Sequence, residues 1–477
     1  MTLFTVLTIP ISVPSARVSV EGEMHFHPFT QLGWDQHAPA LKDVELDKVA
    51  WDSHLLRYGR PLYVVIPVIV LLCSPITHRW WSLKHHGVQE IVKLAQQKLC
   101  SSATFNLHDV HQAFAVLAQR FGLEIALGHR QAVKYNDELI ASHLCICIKT
   151  TEDRAWSYTT YPSEPIVSVA AARLLHSNEE HLNHGLSTVF SLVSNGLLNA
   201  GDSGELASRF IWLLAKDICV HKGFTLPCIS DAELPECQLV PVVRFLEVVF
   251  GSEVTKQAPG IMMTFKEAYI NFTHWIQMKF DIVRGEGGEQ NDASYIILVI
   301  SCSVTLTMLS IEEWTESLWA RTSAVQCCHN QPAIDKVIPM YFKSEPRENA
   351  MSHILISDKA HDKPQLNTLN NITRRSITPS HYSGPPYIVI RADLGVKDPC
   401  LFVCDDCGEG SKDQCLRIYA AGLGNQTYPF LVPKIVEHLK DLYSRYNLPP
   451  EYKELEGLED QVQFGLSRER RYLNLKE

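Results

Sequence analysis

Nothing in the 477 residues reads Gly-x-x-x-x-Gly-Lys-Ser/Thr, so the chain lacks the phosphate-cradling loop of a P-loop NTPase and ATP hydrolysis is not expected of it. No Gly-x-Ser-x-Gly elbow marks a serine hydrolase. Excess positive charge is missing as well: 43 Lys and Arg face 53 Asp and Glu, a formal net charge of -10. That balance is the reverse of the basic footprint with which proteins displace counterions from nucleic acid, so any contact with DNA must be local or assisted by a metal ion. There is no Gly/Ser linker, no low-complexity tract and no repeat, which excludes solenoids and flexible multi-module chains.

A disulfide framework is not indicated either. The 14 cysteines are scattered, and in "HLCICIKT" Cys145 and Cys147 alternate as strand residues do. This reads as reduced, buried thiols in an intracellular chain of nucleus or cytoplasm. The opening "MTLFTVLTIPISVP" is apolar but has no basic n-region, so a secretory signal is not expected. Clean membrane-length runs are absent too, since a bilayer needs about 20 consecutive apolar residues. Residues 61–77 carry Pro61, Pro67 and Pro75, and residues 293–311 carry six Ser and Thr, so both are expected to be core segments and membrane association is not.

What is present is ordinary globular composition, 46% hydrophobic and 20% charged, in a chain long enough for two or three domains. "HGVQEIVKLAQQKLC" and "HDVHQAFAVLAQRFG" have helical spacing, the second closed by Gly122 as C-cap. "HLCICIKTT" and "RAWSYTTYPSEP" read as a strand pair and "PIVSVAAARLLH" as a helix. After the turn-rich "NAGDSGE", where the main domain boundary is expected, Leu206, Phe210, Leu213 and Leu214 fall on one helical face. "PVVRFLEVVFG" and "FKEAYINFTHWIQMKF" are also expected to be helical. "KVIPMYF", "HILISDKA", "YIVIRADLG" and "CLRIYAAGLG" read as strands, followed by a helix from Pro433. The fold class is therefore α+β with a mixed sheet and a helical N-terminal part. Residues 1–50 form an irregular opening, 51–200 a helical N-terminal domain, 201–447 the sheet domain with a helical insertion, and 448–477 a charged tail.

One arrangement carries chemistry. Asp335 opens a strand-like run and Lys359 closes the next in "ILISDK". Carboxylates hold Mg²⁺, which polarises a phosphate and acidifies an attacking water, and a lysine stabilises the charge that builds up on the phosphate. Strand alternation places Ser357 and Leu355 on the Lys359 face and Asp358 opposite, so Ser357 takes the position a second acid would hold. A replacement carboxylate could come from Glu205, or from Glu312, Glu313 or Glu316. Cys400, Cys404, Cys407 and Cys415 supply one tight Cys-x-x-Cys pair but not two, which makes a structural Zn²⁺ there the weaker metal expectation.

Six stretches in order, "LLRYGRPL", "YPSEPIVSVAA", "GDSGELASRFIWLLAKD", "HNQPAIDKVIPMYF", "ILISDK" and "GLGNQTYP", resemble the C-terminal region of Crinkler-like effector proteins of basidiomycete fungi. The resemblance spans residues 55–429 and implies a restriction-endonuclease-like module in the C-terminal half. In that family a P-loop NTPase module usually precedes it; here that module is missing, so an NTPase would have to be a separate partner. Position by position, the resemblance makes Asp335, Lys359 and Glu205 the active residues, with Asp335 and Glu205 on the metal. Gln331 would position substrate, and Ser357 stands where a glutamine is more usual. It thus implies a Mg²⁺-dependent nuclease acting on DNA, or an inactive interaction module that keeps the fold; a membrane-anchored protein using residues 61–77 and 293–311 is the remaining alternative.

Overall fold

The computed structural model describes residues 87–444 apart from 126–129, 151–156, 162, 195–197, 199–202, 222–234, 284–294, 301–307, 310, 328–332, 344–349, 360–361, 378–383 and 406–413. Gln331, Cys407 and residues 61–77 lie outside the described residues, as do both terminal segments.

The first half is mainly helical: α1 (Gly87–Cys100), α2 (Val110–Phe121), α3 (Arg130–Ser142), the hairpin β1 (Ile146–Thr150) and β2 (Ser157–Thr160), α4 (Pro165–His176), α5 (Glu179–Ser194) and α6 (Ser203–Val220). Asp109 caps α2 by accepting from the backbone N–H of His111 and Gln112 at 2.9 and 3.2 Å. Gly122 ends the helix in the left-handed region, φ 59°, as its sequence position predicts. A Cβ at Gly122 would meet the Trp275 carbonyl oxygen at 2.9 Å, so glycine also permits the close approach of α2 to the sheet. Leu206, Phe210, Leu213 and Leu214 of α6 are all buried.

Then come β3 (Val240–Pro241), the helices α7 (Val242–Phe250), α8 (Glu253–Gln257) and α9 (Ile261–Thr264), β4 (Ala268–Ile270), β5 (His274–Val283), β6 (Tyr295–Ile300) and β7 (Met308–Leu309). The remaining elements are α10 (Ile311–Ala320), β8 (Ser323–Cys327), β9 (Lys336–Phe342), β10 (Met351–Lys359), β11 (Tyr387–Asp393), β12 (Cys400–Asp405), β13 (Cys415–Ala421) and α11 (Pro433–Ser444). The stretch 265–280, expected to be helical, forms the short turn after α9 and the strands β4 and β5 instead. Its aromatic residues Phe265, Tyr269, Phe272 and Trp275 recur every three or four positions and mimic a helical stripe. Pairing with β8 and β6, together with aromatic and β-branched content, decides for strand. Within the run 293–311, residues 295–300 are strand β6, and among the described residues no helix is long and apolar enough to cross a membrane.

One mixed sheet runs β12-β13-β11-β10-β9-β8-β5-β6-β7, with β3 and β4 joined to the far end of β9. From β8 to β13, only β9 runs against its neighbours: β8–β9 and β9–β10 are antiparallel, while β10–β11 and β11–β13 are parallel. The architecture is therefore α+β, with a helical N-terminal part and a mixed sheet. Alternation along the central strands divides the buried residues between two faces. Ala324, Ile338, Ile354, Ile356, Ile388 and Ile390 pack with α2, α6 and α11, and Val325, Val337, Leu355 and Val389 pack with Trp314 and Leu318 of α10. The first of these cores extends from Leu99 to Leu442, so elements on either side of residue 200 share it.

Candidate functional site at the β9–β10 edge

Because β9 and β10 are antiparallel, the start of β9 lies beside the end of β10. Asp335, immediately before β9, donates its backbone N–H to the Ile356 carbonyl at 2.8 Å, which fixes its side chain against the last turn of the neighbouring strand. Its Oδ2 accepts from the Asp358 backbone N–H at 2.7 Å, from Lys359 Nζ at 3.1 Å and from Ser357 Oγ at 3.2 Å. Oδ1 lies 3.5 Å from the same ammonium. Three of the residues singled out in the sequence, Asp335, Ser357 and Lys359, are thus brought together. The group is partly open: the Lys359 side chain is 37% exposed and that of Asp335 12%.

The opposite face of the same strands carries a second, fully internal pair. Lys336 Nζ donates to Asp358 Oδ2, and the side chains are 0% and 3% exposed. Asp358 Oδ1 accepts from Ser208 Oγ of α6 at 2.6 Å. Burial pushes the Asp358 carboxyl above the ordinary range; Lys336 opposes the rise and Asp335 adds to it. Glu205, one turn before Ser208, reaches the sheet from this α6 side, where its Oε2 accepts from Gln326 Nε2 at 2.6 Å. Gln326 is in register with Lys336, the residue after Asp335. Glu205 therefore lies on the α6 face with Lys336 and Asp358, across the sheet from the Asp335–Lys359 contact, and no contact joins it to that pair among the described residues. Glu316 lies on α10 and is half-buried.

Sequence reasoning missed the continuation of the polar row into β11. Lys359 is in register with Asp393 and Ser357 with Arg391. Asp393 is buried and accepts from Arg391 Nε at 3.1 Å and from Tyr419 Oη of β13 at 2.8 Å. Burial and the Asp393 carboxylate push the Tyr419 phenol up. The available signal was Arg-x-Asp at the end of an apolar strand, since alternate residues share a face.

The cysteines take another arrangement. Cys400 and Cys404 sit on β12, where four residues span about 13 Å at roughly 3.3 Å each, beyond the reach of one zinc with bonds of about 2.3 Å. Cys415 is buried at the start of β13. Among the described residues, the side chains that converge as a ligand set are His176, Asp217 and His221.

Residues 106–280 match a family described as a domain of unknown function, DUF8736. The matched segment runs from the loop before α2 into β5. It includes Glu205 and Ser208, whereas Asp335, Ser357, Lys359 and Asp393 follow it. No curated protein and no solved structure matches the chain.

Proposed function

We propose that the β9–β10 edge is a Mg²⁺-dependent phosphodiester-hydrolysing site of the restriction-endonuclease-like type, acting on DNA inside the cell. The observation that carries this reading is the direct contact of Asp335 with Lys359, 24 residues apart and delivered by two strands to one half-open position. The donor set suits the ion. Mg²⁺ is held through one or two carboxylates with water and phosphate oxygens completing an octahedron, and Asp335 Oδ1 takes only a long contact from Lys359. The bound ion would polarise the phosphate and lower the pKa of a water.

The protein's own groups do the rest. Asp335 orients its carboxylate through the Asp358 N–H and the Ser357 hydroxyl. Lys359, released from Asp335, places its ammonium where charge accumulates on the phosphate. Glu205, on the α6 face of the same strands, would join the metal only by reaching past the end of β9, and Gln331 lies four residues before Asp335 in the sequence. These 477 residues hold no P-loop, so no NTPase step is assigned to them.

A second reading is an inactive interaction module that keeps the fold. It is favoured by a hydroxyl, Ser357, in the place of the second acid and by the three donors already on Asp335 Oδ2. Cleavage of plasmid DNA by the purified chain, with Mg²⁺ and with EDTA, separates the two. Nuclease action predicts metal-dependent nicking that falls at least about 100-fold in both Asp335→Ala and Lys359→Ala. Folded wild-type protein without metal-dependent cleavage would leave the interaction module.

A further inference from the structure

Two helices meet at a buried polar point remote in sequence from Asp335. His176 ends α4, Asp217 lies in the last turn of α6, and His221 follows one turn later, its backbone N–H bonded to the Asp217 carbonyl at 2.8 Å. The spacing of four residues puts Asp217 and His221 on one side of the helix. His176 Nε2 is 2.8 Å from Asp217 Oδ2, and one ligand atom from each of the three residues lies within 4.8 Å of the others. The His176 and His221 rings stand 5.1 Å apart. All three residues are buried, at 1%, 1% and 6% exposure.

This point is incompletely satisfied. Among the described residues, both ring nitrogens of His221 and Asp217 Oδ1 have no hydrogen-bond partner, although buried polar atoms in native proteins are nearly always paired. Burial holds the His221 ring down to about 3, so it stays neutral with a lone pair available. Burial works to raise Asp217, but Arg120, then His176 and His221, outweigh it and hold the carboxyl well below its usual range. A neutral imidazole with an unused lone pair, a second imidazole and an ionised carboxylate are the donor set of a borderline divalent ion.

We infer that His176, Asp217 and His221 bind Zn²⁺ or a similar first-row divalent cation, with water as fourth ligand. Tetrahedral bonds of about 2.0 to 2.2 Å require ligand atoms roughly 3.3 Å apart. The His176–Asp217 pair is already within that distance, and His221 closes the remainder by side-chain rotation. The ion would take the place of the direct His176 Nε2–Asp217 Oδ2 contact. Arg120, whose Nη2 donates to Asp217 Oδ2 and whose Nη1 donates to the Thr273 carbonyl, orients the carboxylate from behind. Its positive charge also keeps affinity below that of a site with no cation beside it. Bound metal would tie α4 to the end of α6 within the segment that matches the domain of unknown function.

The test uses the full chain, stripped with EDTA and titrated with Zn²⁺ and Co²⁺, beside His221→Ala and His221→Gln. Expected are one Zn²⁺ per wild-type chain, affinity reduced at least 10-fold in both variants, and a Co²⁺ spectrum without a thiolate charge-transfer band. The melting temperature should rise with Zn²⁺ in the wild type alone. Wild-type protein that takes up no metal, variants that bind as it does, or a thiolate band would each overturn the assignment. If both variants fail to fold, the Co²⁺ spectrum of the wild type decides.

Discussion

Lys336 donates to Asp358 on the α6 face of β9 and β10, one residue along each strand from the Lys359–Asp335 contact on the other face. Two consecutive Asp-Lys pairs, 335–336 and 358–359, thus cross-connect two antiparallel strands, and alternation sends one connection inward and the other outward. The inner pair has no water to fall back on. The outer pair does, and can exchange its partners.

That difference predicts unequal costs. Lys336→Met leaves the Asp358 carboxylate buried with only Ser208 as partner and should destabilise by about 3 to 5 kcal/mol. Lys359→Met, at a half-open site, should cost no more than about 1 kcal/mol. The double variant Lys336→Met with Asp358→Leu should recover most of the loss. Urea unfolding of the three variants checks this; equal effects of the two lysine changes would contradict the proposed division between an inner and an outer pair.

Ser357 is the position at which the metal reading can be strengthened. Ser357→Glu adds a carboxylate beside Asp335, so without metal the variant should be less stable than wild type through like-charge repulsion. Mg²⁺ should then raise its melting temperature more than it raises that of the wild type, by an amount equivalent to roughly 2.7 kcal/mol at a hundredfold excess over its Kd. Thermal melts with Mg²⁺ and with EDTA measure this, and identical shifts in both proteins would count against metal at this edge.

Acid should destabilise the protein through three buried histidines held down to about 3, His221 and two in the sheet. His353 is hydrogen-bonded through Nε2 to Thr315 Oγ1 at 2.7 Å and is held from 6.5 down to about 3, by burial first and Arg374 second. His274, bonded to Ser163 at 2.8 Å, is held equally low, by burial and then Arg120 and Arg321. The unfolded chain takes up these protons near pH 6.5 and the folded one only near 3. Stability is therefore complete above pH 6.5 and declines as pH falls toward 3, by about 1.4 kcal/mol per unit for each ring. Urea midpoints at pH 7.5, 6.0 and 5.0 should follow this slope, and His353→Gln should flatten it by one proton.

The strands of the candidate edge were legible because each is short, apolar and bounded by polar turns. "KVIPMYF" coincides with β9, and "YIVIRADLG" contains β11. Strand alternation also sorted Ser357 and Asp358 correctly onto opposite faces, as their separate partners, Asp335 and Ser208, show. The 265–280 region misled because aromatic spacing carries no information about which strands wait further along the chain. Neither the Asp393 row nor the His176–Asp217–His221 cluster could be read from one segment. Only their local parts, Arg391 with Asp393 and Asp217 with His221, lie within one strand or one helical turn; Tyr419 and His176 join from 26 and 41 positions away, and spacing rules act within a turn or a strand.

β5 ties the matched family segment to the chain that follows it. The match stops at residue 280, inside a strand that is flanked by β8 on one side and by β6 on the other, both later in the chain. A polypeptide cut there would present two unpaired backbone edges beside the buried Trp275, the kind of surface that recruits foreign strands. The segment is thus a unit of shared sequence and not of autonomous folding. In this chain the neighbours of that strand, β8 and β6, come from downstream of the match.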